Sequence, residues 1–205
     1  MMEYHKIQTA WHRDPETKFR TLIEGRWAKP EFEYLASNQW TFTEKVDGTN
    51  IRITMTNGEV LIGGRSDNAQ IPAFLLAPLK TIGEAGVVAG VGNMTLYGEG
   101  YGAKIQKGGG NYRPDASFVL FDVFCGDLWL ERENVADIAL RLGISVAPIV
   151  GKGSLVEAIE LARAGFNSTW GPFPAEGLVM RPEIELTNRR GERVISKIKC
   201  KDFQA

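Results

Sequence analysis

The chain reads as a mixed α+β protein built on antiparallel hairpins with few helices. Alternating apolar residues run through Thr41–Arg65 and are broken at Asn57-Gly58, a strong short-range hairpin signal. Two stretches near the middle, Met94–Gly100 and Ser117–Phe124, read as buried strands. Helical character is confined to three segments. The 205 residues are 43% hydrophobic and 24% charged, ordinary globular usage that excludes a disordered or fibrous chain. A chain of this length buries roughly 70% of its unfolded surface and needs no staples. No repeat, low-complexity block or long linker divides residues 1–205, which are expected to form one domain.

In chain order, TFTEKV (41–46) reads as a strand, Asp47-Gly48 as a tight turn or bulge, and NIRITM (50–55) as a second strand. EVLIGG (59–64) follows the Asn57-Gly58 turn as a third. Residues 68–84 are apolar and helical in pattern, with Pro72 and Pro78 interrupting. Between the two central strands lies AKIQKGGGNYRPD, whose triple glycine predicts a mobile loop. Residues 133–142 form a helix closed by Gly143. Residues 154–164 form another, with Ser154 as cap, Glu157 completing a capping box and Gly165 as stop. EGLVMRP (176–182) and VISKIK (194–199) are the last strands, paired through an Asn188–Gly191 turn.

Composition narrows the function. Lys+Arg number 24 and Asp+Glu 25, a net charge of -1, so the whole-protein field does not attract nucleic acid and any phosphate binding is local. Two cysteines, Cys125 and Cys200, and two histidines, His5 and His12, make neither a disulfide framework nor a zinc site. The polar N-terminus has no signal-peptide core, and no apolar run approaches the ~18 residues of a membrane span. A reducing, cytoplasmic setting without membrane contact is expected.

Chemistry concentrates in a few blocks. EKVDGTN (44–50) places Lys45 at a strand end beside a sharp turn. A free lysine is roughly 0.04% neutral at pH 7, so using it as a nucleophile there costs on the order of 4–5 kcal/mol unless burial, cations or a bound metal help. Alone, the block is equally an exposed strand lysine pairing with Asp47. It is followed in order by Glu99 in YGEGYG, Phe121 and Asp122 in FDVF, Glu176 in EGLVMRP, and Lys197, Lys199 and Lys201 in SKIKCKDF.

This ordered set resembles the covalent nucleotidyltransferase superfamily of ATP-dependent ligases and mRNA capping enzymes. Lys45-Val46-Asp47-Gly48 looks like its nucleotidyl-lysine motif. DNA ligases and capping enzymes usually carry Arg where this chain has Asn50, and the EKVDGTN wording is similar to the RNA ligase 2-like family. The resemblance implies a nucleotidyltransferase domain with antiparallel sheets flanked by helices and a nucleotide pocket between them. It implies ATP and Mg²⁺ or Mn²⁺ as cofactors and RNA with 5′-phosphate and 3′-hydroxyl ends as partner. It also implies three steps: Lys45 takes AMP from ATP, AMP passes to the RNA 5′-phosphate, and the 3′-hydroxyl displaces it.

Residue by residue, the resemblance makes Lys45 the nucleophile, with the Glu44 backbone at the adenine edge and Asp47-Gly48 as the rest of the motif. Asn50 lies near the AMP phosphate and serves sealing, its amide donating without adding charge. Arg65, in GGRSDN, suits the ribose or the incoming 5′-phosphate through its planar fork. Glu99 accepts from a ribose hydroxyl, its flanking glycines permitting close approach. Phe121 stacks on adenine, the competing reading being a core phenylalanine. Glu176 positions the divalent metal through water. Lys197 and Lys199, alternating on one strand face, clamp the α-phosphate. Lys199 and Lys201 are the alternative pair, but the first places Phe203 where family members often carry an aromatic.

Weaker features keep two readings. Lys104, Lys107 and Arg113 around the triple glycine, and Arg189, Arg190 and Arg193 at the last turn, face RNA or simply solvent. Tyr4 and Lys6 resemble the family's opening strand without a role, and the five tryptophans read as core or half-buried. With Ala205 six residues past Lys199, neither an OB-fold nor a helical appendage is expected, and strand joining is expected to be weak or to depend on an accessory RNA-binding partner. A minimal DNA ligase, and a nucleotide- or nucleic-acid-end-binding module without turnover, are the alternatives.

Overall fold

The computed structural model describes residues 3–204. Among them the strands are β1 (Gln8–Thr9), β2 (Trp11–Arg13), β3 (Leu22–Trp27), β4 (Trp40–Glu44), β5 (Thr49–Thr56), β6 (Glu59–Gly64), β7 (Met94–Gly102), β8 (Ala116–Cys125), β9 (Leu128–Trp129), β10 (Ser145–Val146), β11 (Ile149–Gly153), β12 (Gly177–Pro182) and β13 (Ser196–Lys199). The helices are α1 (Pro30–Tyr34), α2 (Ala73–Val88), α3 (Arg132–Leu142) and α4 (Leu155–Ala164). The fold is mixed α+β, as expected. It forms two compact units. A central unit comprises Asp47–Ala147 with residues 3–5; a lysine unit comprises Lys6–Val46 with residues 148–204.

The central unit is a sheet in the order β10-β8-β7-β5-β6, with β9 paired to β8. All its pairings are antiparallel except β10 on β8. Strand alternation sends Ile51, Ile53, Met55, Leu96, Leu120 and Val123 to one face, where Leu75 and Leu79 of α2 and Val135, Ile138 and Ala139 of α3 cover them. The β5–β6 hairpin turns at Asn57 (φ 50) and Gly58 (φ 79), both left-handed, matching the right-handed twist of the flanking strands. The two prolines act differently from each other. Pro72 precedes and sets the start of α2, whereas Pro78 lies inside that helix. The triple-glycine segment, read as a loose loop, is closed on itself: Gly109–Asn111 forms a single helical turn, and the Ala103 N–H donates to the Arg113 and Asp115 carbonyls.

The lysine unit holds a sheet in the order β1-β13-β12-β4-β11, with a separate β2–β3 hairpin. Strand β12 is antiparallel to both β4 and β13, while β1 joins β13 in parallel. Trp40, Phe42, Leu178, Met180 and Ile198 pack on Leu155, Ala158, Ile159 and Ala162 of α4. That helix starts as its sequence requires: the Glu157 N–H donates to Ser154 Oγ (3.1 Å) and the Ser154 N–H to Glu157 Oε2 (2.7 Å). The expected turn between β12 and β13 is present, with Gly191 at φ 75 donating to the Asn188 carbonyl.

Candidate active site

In the lysine unit, strand register brings distant residues to one sheet end. β4 runs out at Glu44, β12 begins at Gly177, and β13 ends at Lys199; Leu178 lies opposite Glu44, and Gly177 opposite Lys199. The Lys45 N–H donates to the Gly177 carbonyl (2.9 Å) and the Cys200 N–H to the Glu176 carbonyl (3.0 Å). Lys45, Glu176 and Lys199 therefore converge. Lys45 Nζ is 2.7 Å from Glu176 Oε2, and Lys199 Nζ is 2.6 Å from Glu176 Oε1. The side chains are only 20%, 10% and 24% exposed for Lys45, Glu176 and Lys199 respectively. One carboxylate thus holds two amines, leaving a local surplus of positive charge suited to phosphate.

Lys197 lies two residues back on β13, opposite Val179, and is half-buried. Lys201 is exposed, on the short helical turn Cys200–Phe203 that follows the strand. That turn is pinned by Asp202, whose carboxylate accepts the Lys199 N–H (3.2 Å) and two bonds from Arg13 Nη2 (2.8 and 2.9 Å). Phe203 packs on the core under the Arg163 guanidinium, 4.5 Å from the ring centre. Burial pushes the Cys200 thiol up.

The sequence assigns Glu44 a role through its backbone, yet its side chain is also committed. The carboxylate is 1% exposed and accepts from Ser168 Oγ (2.6 Å), the Thr169 N–H (2.8 Å) and Thr169 Oγ1 (2.8 Å). Nothing in the sequence marks Ser168 and Thr169 for this role, since Asn167-Ser168-Thr169 carries only a turn signal. Ser168 does make that turn, accepting the Trp170 N–H at 3.2 Å.

In the central unit, the Asp47–Gly48 turn is braced from the triple-glycine segment. The Asp47 N–H donates to the Tyr112 hydroxyl (3.2 Å) and Gln106 Nε2 to the Gly48 carbonyl (2.9 Å). Gly48 is required by close approach: a Cβ there would lie 2.7 Å from Glu99 Cγ and against the Gly100 carbonyl. Asn50 and Glu99 are direct cross-strand neighbours on β5 and β7. Asn50 Oδ1 is buried and has no hydrogen-bond partner among the described residues. Arg65 is exposed, just past β6.

Phe121 is placed by a break in strand pairing. Tyr97 pairs with Asp122 but Gly98 with Leu120, so Phe121 is the extra residue of a bulge. Strict alternation would put Phe121 and Asp122 on opposite faces. Instead the Tyr4 ring meets Phe121 edge-on at 5.1 Å and Tyr97 at 5.2 Å, while the Tyr4 hydroxyl donates to Asp122 Oδ2 (2.6 Å). Phe121 thus lies on the polar face, outside the hydrophobic cluster. A buried polar row, Arg52–Tyr97–Asp122, crosses that face from strand to strand. Burial pushes the Tyr97 phenol up to about 12; nearby Asp122 adds to the rise and Arg52 opposes it.

No group of three His, Cys, Asp or Glu residues among the described residues is gathered to hold a metal ion. Both Glu176 oxygens are engaged by lysine amines, so a hard cation would reach this carboxylate only through water or by displacing an amine, and would take its other ligands from phosphates. No helix among the described residues is long and apolar enough to cross a membrane.

The comparisons with known proteins agree with this architecture. Residues 38–199 match the RNA ligase family model. Solved structures of Naegleria gruberi RNA ligase share the fold. A point variant with ATP and Mn superposes at TM-score 0.66 with 17% identity, covering 83% of this chain and 52% of that one. A variant with AMP and Mn gives 0.67 and 16%, covering 96% and 57%. The same ligase with pyrophosphate gives 0.61 and 17%, covering 95% and 56%. The chain therefore spans little more than half the length of these structures. No curated protein matches the sequence. With the family model matched from before Lys45 through Lys199, the chain belongs to the RNA ligase family.

Proposed function

We propose that the protein is an ATP-dependent RNA ligase acting through a lysyl-AMP intermediate, in RNA repair. The observation that carries this reading is the Glu176 carboxylate holding the Lys45 and Lys199 amines at one sheet end. Lys45 Nζ attacks the α-phosphorus of ATP. A nitrogen–phosphorus bond forms, the α–β anhydride bond breaks, pyrophosphate leaves and the amine loses its proton. The 5′-phosphate of an RNA strand then displaces the lysine, and a 3′-hydroxyl displaces AMP to close the phosphodiester.

Lys199, with Lys197 behind it on β13, neutralises charge growing on the α-phosphate oxygens. When phosphate enters, it competes with Glu176 for the two amines and frees Lys45 from its ion pair. Asn50, its oxygen lacking a partner among the described residues, hydrogen-bonds the nucleotide or the strand end. Glu99 takes a ribose hydroxyl, Phe121 offers a ring to adenine, and Arg65 binds the ribose or the 5′-phosphate. A divalent cation held through water by Glu176 would shield the phosphate charge. The Naegleria ligase structures with ATP, AMP, Mn and pyrophosphate support this assignment. Both cysteines are free thiols, which suits a cytoplasmic setting.

Intact-mass measurement tests the reading. After incubation with ATP and Mg²⁺ the protein should gain the mass of one AMP, lose it on addition of pyrophosphate, and gain nothing as Lys45→Ala. An unchanged mass, or equal labelling of the variant, refutes it. Matched nicks ending in an RNA or a DNA 3′-hydroxyl then separate RNA ligase from DNA ligase.

A further inference from the structure

Arg52 lies mid-strand on β5 and is fully buried, an expensive place for a guanidinium. Two of its donors reach the turn after β6. Nε donates to the Gly64 carbonyl (2.7 Å) and Nη2 to Asp67 Oδ1 (2.9 Å). Gly64 and Asp67 flank Arg65-Ser66, so one rigid, planar group grips both sides of the turn that carries Arg65. The turn is further closed by the Ala69 N–H donating to the Ser66 carbonyl (3.1 Å), and it passes so close that a Cβ on Gly64 would lie 2.7 Å from Ala69 Cβ. The Asp67 side chain is 64% exposed, so the fully buried guanidinium meets its carboxylate partner at the surface of the turn.

We propose that Arg52 and Asp67 are positioning residues for Arg65: the buried fork fixes the Gly64–Asp67 backbone so that the Arg65 guanidinium is presented to the phosphate or ribose of the substrate in one orientation. This rests on the assignment of Arg65 to substrate given above. An arginine on an untethered turn would have to order its backbone and its long side chain at each binding event, and small misplacements of a positioning group cost roughly a hundredfold in rate. A fork serves better than an ammonium because its donors are fixed relative to each other, coupling the Gly64 carbonyl to Asp67.

A double-mutant cycle tests the proposal. The rates of lysyl-AMP formation from ATP, and of RNA joining by pre-adenylylated protein, are measured for wild type, Arg65→Ala, Asp67→Ala, Asp67→Asn and the Arg65→Ala/Asp67→Ala double variant. Asp67→Ala should slow the same step as Arg65→Ala by roughly tenfold or more. The double variant should be no slower than Arg65→Ala alone, and Asp67→Asn, which keeps an acceptor for Nη2, should retain most of the rate. Multiplicative losses, a different step affected, or a wild-type rate for Asp67→Ala overturns it. If wild type acquires no AMP, the functional reading itself fails. If wild type acquires AMP but Arg65→Ala is silent, only the positioning proposal falls.

Discussion

Removing the Glu44 carboxylate should cost more than any single surface change in the lysine unit. Its three short bonds to Ser168 and Thr169 are hydrogen bonds to an ionised acceptor, each worth about 1.5–3 kcal/mol. They share one group, so the sum is not additive. In Glu44→Ala two hydroxyls can rotate toward other acceptors, but the Thr169 N–H is fixed by the backbone and loses its only bond to the carboxylate, a penalty of about 1–3 kcal/mol. A loss of about 4–5 kcal/mol follows, a large part of the ~5–15 kcal/mol that holds a domain. Glu44→Gln is milder. Its carbonyl can face Thr169 and its NH₂ can face Ser168, whose hydroxyl can turn to accept, so only charge assistance is lost, about 1–2 kcal/mol. Urea unfolding followed by tryptophan fluorescence, with Trp170 directly after the clamp, reads both variants. The milder variant should also slow lysyl-AMP formation, because Lys45 is the next residue along the chain. Stabilities within about 0.5 kcal/mol of wild type for both variants would show that the buried clamp contributes nothing, contrary to the reasoning.

Tyr97 should make the protein sensitive to alkali. Its phenol is pushed up to about 12, so the protonated form is favoured by folding; the stabilisation is complete below pH 10 and is lost as pH rises toward 12. At 1.36 kcal/mol per pH unit this amounts to about 2–3 kcal/mol, and stability should fall by that much more in wild type than in Tyr97→Phe over the interval. Parallel pH profiles for the two proteins would contradict it. The last motif is tested by comparing Lys197→Ala with Lys201→Ala. The strand-face position should lose roughly a hundredfold in lysyl-AMP formation, and the exposed one less than about threefold. The reverse order would move the pair to Lys199 and Lys201.

Local chemistry was legible. The Asn57-Gly58 turn, the Ser154–Glu157 capping box and the Gly143 stop are each set by a few adjacent residues, and all are present. The order of the charged blocks also announced the family, because those residues are read by type and sequence rather than by contact. Strands β1, β2, β9 and β10 leave no signal in the sequence because two or three residues carry no periodicity, and β3, β11 and the five-residue α1 leave none because they bury at most one residue each.

Sequence by itself therefore determined the Asn57-Gly58 hairpin, the start of α4, the stop of α3 and which lysine to suspect, all matters of neighbouring residues, whereas α2 begins at Ala73 and runs to Val88 rather than spanning residues 68–84. Only tertiary structure decided that Glu176 joins Lys45 to Lys199, that Ser168 and Thr169 hold Glu44 from 124 and 125 positions away, and that a bulge turns Phe121 onto the polar face. Those outcomes depend on strand register, and register is settled by how whole sheets pack, not by any pattern confined to one strand.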